Sequence, residues 1–154
     1  MIPNLRIPIN PVDKLEPFAH FIQAQGMVYD EVIDELQKGH KETHWMWYIF
    51  PQLKVLGKSL KAQKYGLDDL KQAADYLQHP VLGQRLLQCT RLVLTHQDKA
   101  AAQIFGDVDA LKFRSCMTLF KYVPLSDYCF RDALMAFYAG EEDAVTLEFI
   151  GAIR

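Results

Sequence analysis

The sequence lacks the short motifs by which the commonest enzyme classes are recognised. It has no Gly-x-Ser-x-Gly turn for a serine nucleophile, no Gly-x-x-x-x-Gly-Lys loop for phosphates and no Gly-x-Gly-x-x-Gly turn for dinucleotides. It also has no uninterrupted apolar run of about 18 residues, the length of a membrane span, and no basic start followed by an apolar stretch. These absences predict a soluble cytoplasmic protein without a membrane partner.

Neither charge nor cysteine is in excess. The formal net charge is -2, so no long-range field would attract nucleic acid, and we expect no nucleic-acid partner. Cys89, Cys116 and Cys129 lie in apolar helical patterns, and three thiols cannot all pair. We therefore expect reduced, core-filling cysteines, no disulfide scaffold and no cofactor.

What the sequence does contain is helical periodicity. Prolines at positions 3, 8 and 11 predict an extended arm over residues 1–12, followed by a single domain over residues 13–154. No strand pattern with hairpin chemistry appears. We predict an all-α fold, a single multihelical domain of about seven or eight helices.

The predicted helices follow apolar spacing and capping residues. One begins at Asp13 and is interrupted at Gly26, a second ends at Gly39, and residues 53–66 form a long ordered loop. Further helices begin at Asp68, Pro80, Ala100, Asp107, Ser126 and Asp143.

The densest feature is the aromatic segment 44–52, His-Trp-Met-Trp-Tyr-Ile-Phe-Pro-Gln. Such aromatic mass is typical of a core plug or of a pocket wall.

His44 is either a proton-transfer residue near neutral pH or a structural histidine bonded to a backbone carbonyl. With His40 it has helical spacing for a metal pair, but no glutamate follows His40 and no third ligand is evident, so no metal site is predicted. His20 and His96 are interpreted as surface or helix-end residues.

A polar track descends the helix that begins at Asp107. Lys112, Ser115 and Thr118 follow one another at i, i+3, i+6 between two apolar sides. Buried polar groups need partners. The partners are either carbonyls of neighbouring helices or a polar or anionic ligand.

Beyond these patterns, the chain resembles the bacterial domain-of-unknown-function family numbered 1810, a helical family represented structurally by a mycobacterial hypothetical protein. The resemblance is carried by stretches across nearly the whole domain: residues 36–41, 44–52, 57–59, 76–86, 104–112 and 115–120. It implies an all-α single domain, and it implies no activity.

The motif positions of this resemblance include many polar residues, which suggests a shared pocket. They are Gln52, Ser59, Tyr65, His79, Arg85, Asp109, Lys112, Ser115 and Thr118. We hypothesise one cleft in which Trp45 or Trp47 stacks on a planar group and the Lys112 and Arg85 cations bind negative charge. His44 and Asp109 are the candidate catalytic residues of that cleft.

Three functions follow from this hypothesis. The first is binding of a polar or anionic small molecule, of nucleotide-like chemistry, by a monomer or small homo-oligomer. The second is hydrolysis of a glycosidic bond in an ADP-ribose-like substrate, because residues 79–87 and 104–106 are loosely similar to helical ADP-ribose glycosidases, although their glycine-rich continuation is absent. The third is a structural or protein-interaction role, in which Asp109 and Lys112 form a simple i, i+3 ion pair.

Overall fold

The computed structural model describes residues 16–151, and their regular structure is helical. The α-helices are α1 (Ala19–Lys38), α2 (Met46–Ile49), α3 (Leu60–Lys64), α4 (Leu70–Gln78), α5 (Leu82–Leu94), α6 (Ala101–Phe105), α7 (Asp107–Lys121), α8 (Cys129–Tyr138) and α9 (Ala144–Ile150). A 3-10 turn spans Lys54–Leu56, and one isolated bridge joins Leu53 to Leu67. The predicted all-α class is confirmed. The arm predicted for residues 1–12 and the helix start at Asp13 lie outside the described residues.

Helix α7 lies at the centre of the fold. It contacts α4, α6, α8 and α9, while α1 packs on α5 at one side. In its second half the side chains are buried on every face, from Ser115 to Phe120. Its first half is different, because Leu111 is 57% exposed and Val108 is 68% exposed. The irregular apolar pattern of this helix therefore reflects a central position for its C-terminal turns only.

Aromatic rings join the helices at their common core. Phe50 lies edge-on to Phe113 at 5.0 Å and to Phe105 at 5.9 Å, which connects α7 and α6 to the end of the aromatic segment. On the other side Tyr76 packs against Phe21 at 5.2 Å. Edge-to-face pairs of this kind add to the stabilisation by area burial alone.

Three predicted boundaries were wrong. Gly26 does not interrupt α1, because the packing of this helix on α5 outweighs the low helix propensity of one glycine. Residues 53–66 are not a loop but contain the 3-10 turn and α3. Ser126 does not cap α8. Its hydroxyl donates to the Phe120 carbonyl at 2.6 Å, and Asp127 accepts from the first backbone N–H of α8 at 2.8 Å.

No helix within residues 16–151 has the length and apolar composition required to cross a membrane.

Candidate functional site

The aromatic segment is anchored by a buried carboxylate on α1. Glu35 is 6% exposed and accepts four hydrogen bonds: the backbone N–H of Glu42 at 2.8 Å, the N–H and hydroxyl of Thr43 at 3.1 and 2.6 Å, and the indole N–H of Trp45 at 2.9 Å. Burial by itself raises the pKa of Glu35, but these hydrogen bonds outweigh it and hold the pKa below its ordinary value. Trp45 is 1% exposed, so its indole is a core group with its one donor satisfied.

A row of charges and rings leads from this anchor towards the surface. The Lys41 ammonium lies 2.9 Å from Asp109 and 5.0 Å from the centre of the Trp45 ring. Asp109 is also 3.6 Å from the Lys112 ammonium, which is the i, i+3 pair anticipated from the sequence. Lys112 in turn lies 5.2 Å from the Trp47 ring, and Lys61 lies 4.7 Å from the same ring. Trp47 is thus the half-buried end of this row.

Four of the predicted binding residues surround one small cavity. Trp47, Gln52, Tyr65 and Lys112 line it, together with Met46, Phe50, Ala62 and Gly66. Its volume is about 10 Å³, roughly the space of one water molecule. The cavity brings the four side chains together but leaves no room for a metabolite.

A larger groove adjoins this cavity through Tyr65 and lies between α1 and α3. We call it the α1–α3 groove. Its volume is about 360 Å³, which is in the range of small-molecule sites. The lining residues are His20, Gln23, Ala24, Met27, Val28, Tyr48, Lys61, Lys64 and Tyr65.

Aromatic and cationic groups face each other in the α1–α3 groove. The His20 ring stacks on Tyr65, with centroids 5.7 Å apart and planes inclined by 22°. Tyr48 meets the same Tyr65 ring edge-on at 5.0 Å, and the Lys64 ammonium lies 5.4 Å from that ring. Within residues 16–151 no carboxylate lies within 4.0 Å of the Lys61 or Lys64 ammonium. Both lysines therefore carry charge that the described part of the protein does not neutralise by direct pairing.

The pKa of His20 is lowered in this setting. Burial is the largest cause, and a hydrogen bond with the Lys64 backbone acts in the opposite direction. The positive charges of Lys64 and Lys54 lower the pKa further, because they disfavour a third cation nearby. His20 is the groove residue that the sequence interpretation missed. The signal that could have found it is its i, i+3, i+4 spacing with Gln23 and Ala24, which line the same groove.

Several predicted site residues lie away from the α1–α3 groove and have local structural contacts. Ser59 accepts the Ala62 N–H at 3.1 Å and caps α3. His79 accepts the N–H groups of Val81 and Leu82 at 3.1 and 3.3 Å and so opens α5. The Nε2 of His79 lies 3.3 Å from Glu16.

The polar track of α7 is satisfied by its own helix rather than by neighbouring helices. Ser115 donates to the Leu111 carbonyl at 3.1 Å and Thr118 donates to the Arg114 carbonyl at 2.8 Å. Thr118 also accepts the Asp143 N–H at 3.0 Å, which ties the start of α9 to α7. Neither a neighbouring carbonyl nor a ligand is needed to explain these hydroxyls.

Arg85 belongs to a buried polar network that sequence reasoning did not assemble. Its guanidinium donates to Gln25 at 3.3 Å and lies 4.8 Å from the Tyr29 ring. Gln25, only 1% exposed, donates to the Tyr48 carbonyl at 2.6 Å and to the Tyr76 hydroxyl at 3.0 Å. The network holds α1, α2, α4 and α5 together, and the functional role predicted for Arg85 stays a prediction.

The two predicted catalytic residues do not share a hydrogen bond. His44 has an exposed side chain, and its carbonyl accepts a hydrogen bond of 3.4 Å from the groove residue Tyr48. Asp109 is held in its pair with Lys41. No group of three or more histidine, cysteine or acidic side chains suited to a metal ion occurs within residues 16–151.

Comparisons with known proteins give two findings. The pattern of a family described as "Protein of unknown function (DUF1810)" matches residues 16–150. Among solved structures, the conserved hypothetical protein Rv1873 from Mycobacterium tuberculosis is similar, with 43% sequence identity and a TM-score of 0.84 over 88% of this chain and 96% of that one. The search of curated proteins gave no match. The chain belongs to the DUF1810 family.

Proposed function

We propose that the protein binds an anionic small molecule with a planar, nucleotide-like group in the α1–α3 groove. The observation that carries this proposal is a groove of about 360 Å³ in which aromatic walls meet two ammonium groups that have no carboxylate partner in residues 16–151. Lys61 and Lys64 supply positive charge, and Tyr48, Tyr65 and His20 supply ring surfaces.

Both parts of such a ligand find suitable partners in the α1–α3 groove. A phosphate gains charge-assisted hydrogen bonds from lysine, and a heterocycle gains contact area from tyrosine and histidine rings. Lys61 and Lys64 have no ion pair to break within the described residues, so an anion competes for them with water and with their contacts to the Trp47 and Tyr65 rings. Glu31 is the acidic residue whose charge acts on Tyr48, and it favours a ligand whose phosphates lie on the α3 side of the groove.

ADP-ribose is a suitable probe, because it combines a planar base with two phosphates. We expect saturable binding by titration calorimetry, and weaker binding at higher salt. The double variant Lys61→Gln/Lys64→Gln should weaken binding about tenfold or more, since charge-assisted hydrogen bonds contribute about 1.5–3 kcal/mol. The control Lys58→Gln/Lys71→Gln makes the same change in net charge outside the groove, and it should bind within about twofold of the unmodified protein.

Trp47 offers a second readout of the same event. The protein has two tryptophans, and Trp45 is buried. Because Lys61 lies over the Trp47 ring, a ligand that draws the ammonium away should change the tryptophan emission. Absence of any saturable signal with ADP-ribose, adenosine monophosphate and pyrophosphate at millimolar concentration would overturn the proposal.

The same incubations test the hydrolase alternative. Release of product from ADP-ribosylated nucleosides, lost in His44→Ala or Asp109→Ala, would favour glycosidic cleavage over binding alone. Saturable binding without product would favour the binding function.

A further inference from the structure

We propose that His20 is a third anion-binding group of the α1–α3 groove, and that it acts in its protonated form, so that ligand binding takes up a proton. This inference rests on the proposed function and specifies how the same site responds to pH.

The geometry places His20 among the groups that would meet the ligand. His20 lines the groove, and its ring stacks on Tyr65 with the centroids 5.7 Å apart. Apart from the Lys64 backbone, no hydrogen-bond partner of the ring occurs within the described residues. One ring nitrogen therefore has no partner in residues 16–151 and would bind the ligand.

Burial, and after it the charges around His20, disfavour its protonation in the empty groove. From α3 and the residues that follow it, Lys61, Lys64 and Tyr65 face the groove, and Tyr48 faces it from α2. Lys54, in the 3-10 turn, adds positive charge that Asp68 partly offsets at 2.8 Å. Burial is the largest cause of the lowered His20 pKa, and the charges of Lys64 and Lys54 lower it further.

An anion in the groove reverses this balance. Negative charge near Lys61 and Lys64 cancels the repulsion that a protonated imidazole meets, and it offers the second ring N–H an acceptor. The pKa of His20 therefore rises on binding, and by linkage the affinity increases as the pH falls from the bound-state pKa towards the free-state pKa. Each unit of rise corresponds to about a tenfold gain in affinity at low pH.

The test uses ADP-ribose, whose two phosphates are joined as a pyrophosphate diester and do not titrate near neutral pH. Calorimetry in buffers of different ionisation enthalpy measures the protons taken up per ligand bound. We expect uptake of between zero and one proton near pH 7, and tighter binding at pH 6 than at pH 8. His20→Gln should abolish both the uptake and the pH dependence, whereas the exposed control His40→Gln should keep them.

NMR of the unmodified protein tests the same inference even if His20→Gln fails to fold. The ring protons of His20 can be followed by NMR across pH in the unmodified protein, with and without ADP-ribose. A pKa that rises with ligand supports the inference. Binding without proton uptake and without a change in the His20 titration overturns the inference but leaves the proposed function intact, while absence of binding overturns the proposed function.

Discussion

The Glu35 carboxylate accepts a hydrogen bond of 2.9 Å from the indole N–H of Trp45, although the two residues belong to different elements of the chain. Three more hydrogen bonds from Glu42 and Thr43 converge on the same carboxylate. This contact lets the Trp45 indole lie in the core, because it satisfies the only side-chain donor of Trp45 and fixes the residues before α2. Trp47, two residues later, remains beside Lys61 and Lys112.

Replacing Glu35 should destabilise the protein. Glu35→Gln keeps an oxygen for the three N–H donors but places an N–H₂ group opposite the Thr43 hydroxyl, and it removes the negative charge that strengthens all four hydrogen bonds. We expect a loss of about 1–3 kcal/mol in the free energy of unfolding, measured by urea denaturation. The exposed Glu31→Gln on the same helix is the control and should change stability by less than about 0.5 kcal/mol.

The same carboxylate should contribute to acid sensitivity. Its folded-state pKa is lowered, so the unfolded state binds the proton more readily and the contribution of Glu35 to stability is present above the ordinary glutamate pKa. That contribution is lost as the pH falls through the lowered value. The melting temperature measured from pH 6 to pH 3 should decline less steeply in Glu35→Gln than in the unmodified protein. If the melting temperatures of the two proteins fall equally with pH, Glu35 does not contribute to the acid sensitivity.

Two buried threonines form a matched pair for measuring one hydrogen bond. Thr118 and Thr90 are both 0% exposed, but Thr118 accepts the Asp143 N–H whereas the Thr90 hydroxyl has no partner within the described residues. Thr118→Val should cost about 1–3 kcal/mol by leaving the Asp143 N–H unsatisfied. Thr90→Val should be neutral or stabilise by up to about 1 kcal/mol. Equal costs in urea denaturation would show that the hydrogen bond contributes nothing.

Two glycines should respond to alanine in opposite directions. A Cβ at Gly83 would lie 2.0 Å from the Leu77 carbonyl oxygen, so Gly83→Ala forces α4 and α5 apart and should cost about 3 kcal/mol. Gly26 lies in α1 with open space around it, so Gly26→Ala should stabilise by about 0.5–1 kcal/mol through helix propensity. Thermal unfolding of both variants checks this, and destabilisation by Gly26→Ala would contradict the expected gain in helix propensity.

The three cysteines should be inert in the folded protein. Burial raises the pKa of Cys89 to about 12 and raises the pKa of Cys116 and Cys129 as well. The thiolate is the reactive form, so labelling by Ellman's reagent at pH 8 should be slow and should become complete in urea. Rapid labelling of one thiol in native protein would show that its segment opens.

Local capping was predictable from the sequence, whereas effects of tertiary packing were not. The sequence predicts helix starts at Asp68 and Asp143. The observed caps are Asp69, one residue later than predicted, and Asp143, whose side chains accept N–H groups at 2.8 and 2.9 Å. Gly26 and Ser126 were misread because packing overrides propensity at the first and a competing acceptor, the Phe120 carbonyl, engages the second. Of the predicted binding residues, Tyr65 lines the α1–α3 groove, and Trp47, Gln52 and Lys112 line the small cavity beside it with Tyr65.

The helical class and the membership of the DUF1810 family could be read from the amino-acid order alone, because apolar spacing of 3.6 residues and the aromatic segment 44–52 are local patterns. Only the tertiary structure decided that Trp45 of this segment faces the core. It alone also brought His20 to the same groove as Lys61 and Lys64. These residues are about 40 positions apart in the chain, and no local pattern encodes their distance. That distance is set by how α1 and α3 pack on the rest of the protein. In that packing Glu35 and Gln25 have buried hydrogen-bond partners, whereas Lys61 and Lys64 have no carboxylate partner within the described residues.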